Sequence, residues 1–179
     1  MKYFFDTEFC EKPNTIEFIS IGIISEDGRS FYAENSEADF SKCNDWVKKN
    51  VIPKLTYKNL TPIIKSQSNF VTMCGDTKQI KKELLKFINC NKPEFWAYFA
   101  DYDWVVFCWI FGSMIDLPKH FPMYCKDLKQ LADFLGDPKF RKLSDDAEHN
   151  SLEDAIWNKD YYEFLNGQLK IMLGGQNLK

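Results

Sequence analysis

Asp6 and Glu8 stand one residue apart in FFDTEF, residues 4–9, at the end of an apolar run. On a β-strand alternate side chains share a face, so the two carboxylates project together. Like charges that close repel by about 1 kcal/mol in water and by more where solvent is excluded. Between segments as apolar as KYFF and FISIGII, such a pair is costly unless cations neutralise it. Further along, Asp103 follows EFWAYF and precedes an apolar stretch, with Asp101 two residues before it. His149 and Asp154 lie in EHNSLEDA. Carboxylates are ligands for hard divalent cations, and an imidazole that titrates near neutrality suits a general base.

Each feature also has an ordinary explanation. Asp6 and Glu8 could end an exposed edge strand. Aspartate is a favoured helix N-cap, worth about 1 kcal/mol, and either Asp101 or Asp103 fits that duty. Ser151 and Asp154 have the spacing of a capping box, which would leave His149 an ordinary loop residue. Five residues on a helix amount to a rotation of about 140°. His149 must therefore precede the helix, with Asp154 in its first turn, if both are to face one site.

The elements that would position these groups can be read from periodicity. Residues 2–7 read as a strand, and TIEFISIGIIS, residues 15–25, as a buried strand apolar on both faces. Glu26-Asp27-Gly28 is a hairpin turn, with RSFYAEN returning as a third strand. Phe40, Cys43, Val47 and Val51 recur at helical spacing up to Pro53. Residues 53–75 look irregular and polar, a surface excursion. Ile80, Leu84, Phe87 and Ile88 mark a second helix, EFWAYF a strand and residues 104–111 a helix. FPMYC, residues 121–125, reads as a short strand, followed by a helix through Leu128, Leu131 and Leu135. A terminal helix begins near Ser151 with Ala155, Tyr162, Leu165, Leu169 and Met172 on one stripe. Strands in a meander, then strands alternating with helices, predict a mixed α/β sheet of about five strands flanked by helices.

The chain of 179 residues, 45% hydrophobic and 16% aromatic, suits one folded domain over residues 1–179. A net charge of −3, with Arg29 and Arg141 the only arginines, excludes the basic footprint of a duplex-binding protein. The longest apolar run, Trp104–Ile115, is bounded by Asp103 and Asp116 and falls short of the roughly 20 residues a membrane span needs. It reads as a buried helix, and no membrane partner is expected. The six cysteines include no Cys-x-x-Cys pair, which predicts reduced thiols packed as small hydrophobes in a cytoplasmic protein.

Taken together and in this order, the acids and the histidine resemble the DEDDh class of 3′–5′ exonucleases, which share a ribonuclease H-like fold. The similarity runs through FFDTEF, AYFADYDWVVF and HNSLED. It looks closest to a small exoribonuclease family known from mycobacteria, whose members carry a similar start, a TIE-x-ISIG second strand and a WV-x5-LPKL helix end like WVKKNVIPKL here. The resemblance spans residues 2–160. It implies a ribonuclease H-like fold, and it assigns Asp6, Glu8, Asp103 and Asp154 to hold two Mg²⁺ or Mn²⁺ ions, with Asp101 as the alternative to Asp103. It makes His149 the base that deprotonates the attacking water, and it sets Glu8 and Phe9 against the substrate. Phe9-Cys10 replace the glycine and threonine usual after the first acidic pair.

The implied activity is 3′–5′ hydrolysis of single-stranded RNA to nucleoside 5′-monophosphates, and the resemblance suggests a homodimeric enzyme. Two alternatives share the scaffold: hydrolysis of single-stranded DNA, and a non-catalytic binding protein.

Overall fold

A computed structural model describes residues 1–57 and 59–174. Its centre is a mixed sheet of seven strands in the order β4-β5-β3-β2-β1-β6-β7. The meander expected from the sequence forms the middle. β1 (Lys2–Lys12) and β2 (Thr15–Ser25) pair antiparallel, as do β2 and β3 (Ser30–Asn35). β1 also pairs in parallel with β6 (Glu94–Ala97), but only over Lys2–Phe4. Beyond Phe4, then, β1 runs past the end of its neighbour, with its outer backbone groups free for other partners.

The two faces of β1 differ in what they bury. Tyr3 and Phe5 enter a core with Ile21, Ile23, Phe31 and Phe95, covered by α2 (Thr77–Phe87) and α3 (Asp101–Phe111). Phe4, on the opposite face, packs with Ile24 and with Ala155 of the long helix α5 (Ser151–Met172). Asp6 and Glu8 follow Phe4 at spacings of two, so they emerge on the α5 face. Helix α4 (Leu128–Phe134) packs against α5 through Leu128, Ala132, Tyr161 and Leu165.

Several sequence expectations change. The sheet has seven strands rather than about five, because the polar 53–75 segment contributes the hairpin β4 (Ile63–Ser66) and β5 (Phe70–Gly75), with β5 parallel to β3. β4 is an exposed edge strand, so burial imposes no alternation on its side chains. Residues 121–125 are not a strand. Pro122 has no N–H to donate, and pairing with β6 is confined to β7, Lys126–Asp127. The helix expected across 40–51 is split: a 3₁₀ turn at Phe40–Lys42 precedes α1 (Asp45–Asn50), whose start is capped by Asn44. Helix α3 is not buried all round, since Val105 and Trp109 are exposed.

Cys10 and Cys43 form a disulfide with their Cα atoms 5.0 Å apart, where reduced thiols were expected. Strand periodicity carries Cys10 onto the same small core as Cys43, Val47 and Leu55, which brings the two sulfurs together. Cys74, Cys90, Cys108 and Cys125 are free. No described helix is long and apolar enough to cross a membrane.

Candidate active site

Where β1 outruns β6, a cleft of about 490 Å³ opens, and Asp6, Glu8, Phe9, Asp103, His149 and Asp154 all line it. Strand alternation sets the first two carboxylates side by side on the α5 face. Asp154 arrives from the first turn of α5, whose entry is fixed by a close backbone approach. Gly22 on β2 is the partner of Asp6 across the ladder, and a Cβ at Gly22 would overlap the Ser151 carbonyl and the Leu152 nitrogen. Only glycine lets the helix start sit directly on the sheet. Ser20 Oγ and Ser151 Oγ meet at 3.1 Å, and Asn158 Nδ2 donates to the Phe5 carbonyl at 2.9 Å, which seats the helix further along. The capping-box reading of Ser151 does not hold. Asn150 is the N-cap, accepting from the Leu152 and Glu153 amides, while Ser151 is buried.

Ligand atoms of Asp6, Glu8 and Asp154 lie within 4.8 Å of one another. Asp103 stands beside this trio. It is 6% exposed, and its Oδ1 accepts both the Thr7 amide (2.8 Å) and the Thr7 hydroxyl (2.5 Å). Asp103 thus takes the place of a neighbouring strand at the overhanging end of β1. The N-cap reading fails for both acids: the cap position is Ala100, with no side-chain cap bond. Asp101 is exposed and does not line the cleft.

Crowding shows in the proton affinities. Burial, then the negative charges of Asp103, Glu8 and Asp154, hold the Asp6 carboxyl well above the usual carboxylate range. Burial, with Asp154 and Asp103 adding to it, pushes Glu8 up to about 8, against the pull of Lys54. Burial raises Asp154 to about 7 and Asp103 to about 6, the latter held back by the bonds from Thr7. Asp154 Oδ2 is buried without a hydrogen-bond partner. Clustered acids, all hard oxygen donors, with one orphaned oxygen among them, fit divalent cations of the Mg²⁺ or Mn²⁺ type.

His149 sits just before α5, as its spacing from Asp154 required. Its backbone is left-handed (φ 68°), and its ring meets the exposed Trp46 edge-on at 4.8 Å. Phe9 stacks on Tyr102 at 5.7 Å, and the Tyr102 hydroxyl donates to Glu11 at 3.0 Å. Phe99, 63% exposed and also left-handed (φ 54°), completes an aromatic wall. Sequence reasoning did not find Thr7, Gly22, Trp46, Phe99 or Tyr102. Thr7 and Gly22 lay inside quoted motifs, but what they touch is distant in sequence.

A family model described as 3′–5′ exoribonuclease Rv2179c-like domain matches residues 1–166. The chain is 37% identical over 158 residues to two curated proteins, the 3′–5′ exoribonuclease Rv2179c of Mycobacterium tuberculosis strain H37Rv and the 3′–5′ exoribonuclease MT2234.1 of strain CDC 1551. Each match covers 87% of this chain and 87% of the relative. Among solved structures, the catalytic unit of Neurospora crassa Pan2, containing its protease and nuclease domains, aligns with a TM-score of 0.47 at 18% identity. That alignment covers 99% of this chain and 30% of the Pan2 chain, so the present chain spans less than a third of that structure.

Proposed function

This chain belongs to the Rv2179c-like 3′–5′ exoribonuclease family, and we propose that it removes nucleotides one at a time from the 3′ end of single-stranded RNA, releasing nucleoside 5′-monophosphates. The observation that carries the reading is the convergence of Asp6, Glu8, Asp103, Asp154 and His149 on one cleft, from segments scattered along the chain.

Asp6, Glu8 and Asp154, with Asp103 beside them, are the residues that would hold two divalent ions. When bound, such ions make water nucleophilic and offset charge on the attacking and leaving oxygens of a phosphodiester. The carboxylates must ionise to serve, so their raised proton affinities keep the cleft from carrying four uncompensated charges beforehand. His149 takes the proton of the attacking water; it lines the cleft that the carboxylates line, half-buried and braced by Trp46. Thr7 holds Asp103 at the cleft through two hydrogen bonds. Glu8 and Phe9 flank the terminal nucleotide, and Phe9, Tyr102 and Phe99 offer ring faces to unpaired bases, a mode of grip that needs no basic groove. The reading includes a homodimer, on the strength of the family resemblance, and a cytoplasmic setting, which the four free cysteines favour and the Cys10–Cys43 disulfide opposes.

The experiment is degradation of 5′-labelled RNA with Mg²⁺ or Mn²⁺ by the wild type and by Asp6→Ala, with a DNA strand of the same sequence alongside. A 3′-shortened ladder from the wild type alone is expected. Equal degradation by both proteins, or a marked preference for the DNA strand, would refute the ribonuclease reading.

A further inference from the structure

The 3₁₀ turn Ile52–Lys54 contributes no carboxylate to the cluster, though the Lys54 charge reaches Glu8 and Asp154, and it is joined to the segment that carries His149. The Lys54 ammonium donates to the carbonyls of Asp145 and Glu148, the latter at 2.5 Å. In the other direction, Asn150 Nδ2 donates to the Lys54 carbonyl at 3.3 Å. Lys54 therefore bonds to residues on both sides of His149. It is itself anchored from below. Val51 and Leu55 are buried in a small core with Cys10 and Ile19. The next two amides, Thr56 and Tyr57, donate to Glu34, a fully buried carboxylate on β3, at 2.6 and 3.0 Å.

Apart from the Trp46 ring against His149 and the His149 amide beside the Asp154 carboxyl, the turn thus held has few ties of its own. Within 144–149 the backbone bonds are those of Ala147 and Glu148 to the Ser144 carbonyl, and most of its side chains are exposed. His149 is in the left-handed region, where a residue with a Cβ is strained and stays only if its surroundings over-determine it. The ties from Lys54 add to that restraint from the side of the sheet, which they link, through Glu34, to the segment carrying the imidazole. We propose that Lys54 is a positioning residue: by bonding the Asp145 and Glu148 carbonyls it holds the turn that presents His149 to the cleft. This rests on the reading of His149 as the base.

The test uses Lys54→Met, which keeps the apolar stem and loses the donor, and Lys54→Arg, which keeps a cationic donor. Each is measured on labelled RNA alone and combined with His149→Ala, and amide hydrogen exchange is followed in the same proteins. Expected for Lys54→Met are faster exchange confined to residues 145–150 and a kcat lower by roughly 10- to 100-fold, as for a misplaced catalytic group. KM should stay near wild type, Lys54→Arg should recover most of the rate, and Lys54→Met should add no further loss to His149→Ala. Unchanged exchange in the turn, loss of protection throughout the sheet, or losses that multiply in the double variant would each overturn the assignment. An inactive wild type would sink the nuclease reading alone, because the exchange arm judges the Lys54 tie without reference to activity.

Discussion

The Asp103 carboxylate accepts two hydrogen bonds from Thr7, one from its amide and one from its hydroxyl, across 96 positions of sequence. The residue lying between the two strand carboxylates is thus what binds the third one. Thr7 points to the opposite face from Asp6 and Glu8, toward α3, and there it meets the helix that carries Asp103.

Replacing that hydroxyl tests the relationship directly. Thr7→Val keeps the shape and the amide bond but removes one buried donor, which should lower unfolding stability by about 1 kcal/mol. Divalent-ion affinity, read by calorimetry, should fall as well, and Thr7→Ser should restore both. A Thr7→Val protein with wild-type affinity for Mn²⁺ would show that Asp103 needs no such support.

Gly22 is expected to tolerate no side chain. In Gly22→Ala the new methyl meets the backbone of Ser151 and Leu152, which cannot swing aside as a flexible side chain can. Overpacking of this kind costs about 1–3 kcal/mol, and relief requires α5 to lift from the sheet and take Asp154 with it. The urea midpoint should drop, and Mn²⁺ binding should weaken more than it does in a distant variant of equal stability loss. Unaltered metal binding would show that the helix start can shift without moving Asp154.

Stability of the metal-free protein should fall as pH rises from about 4 to about 8. Ordinary carboxyls in the unfolded chain titrate near 4, while Asp103, Asp154 and Glu8 in the fold hold their protons to about 6, 7 and 8. Between those limits the native state binds more protons than the unfolded one, so each retained proton removes up to about 1.4 kcal/mol per pH unit of rise. If divalent ions bind the ionised carboxylates as proposed, Mg²⁺ should raise the melting temperature more at pH 8 than at pH 5. Asp6→Asn should melt higher than the wild type in EDTA at pH 8, while losing the response to Mg²⁺. Equal Mg²⁺ stabilisation at both pH values would contradict this account, and differential scanning calorimetry reads every arm.

Phe99 is exposed on the cleft wall, so Phe99→Ala should leave the fold unchanged and act on substrate alone. Loss of one stacking partner is worth about 1–3 kcal/mol of binding, which should appear as a raised KM for single-stranded RNA with kcat little altered. An unchanged KM would take Phe99 out of the substrate path.

Strand periodicity alone placed Asp6 and Glu8 on a common face, because alternation is a property of consecutive residues. The same local logic placed His149 before a helix and Asp154 in its first turn, and it carried the meander and the mixed α/β architecture. It failed where burial imposed no pattern: on β4, whose side chains are exposed, and at residues 121–125, where the core takes Phe121 but leaves Met123 and Tyr124 outside. Only the folded chain tied Asp103 to Thr7, joined Cys10 to Cys43, and put Gly22 beneath the start of α5. Those outcomes depend on contacts between segments far apart in sequence, whose distances no local spacing encodes; the candidate acids and the histidine could be read in order, but their meeting point is set by how tightly a helix may approach a sheet.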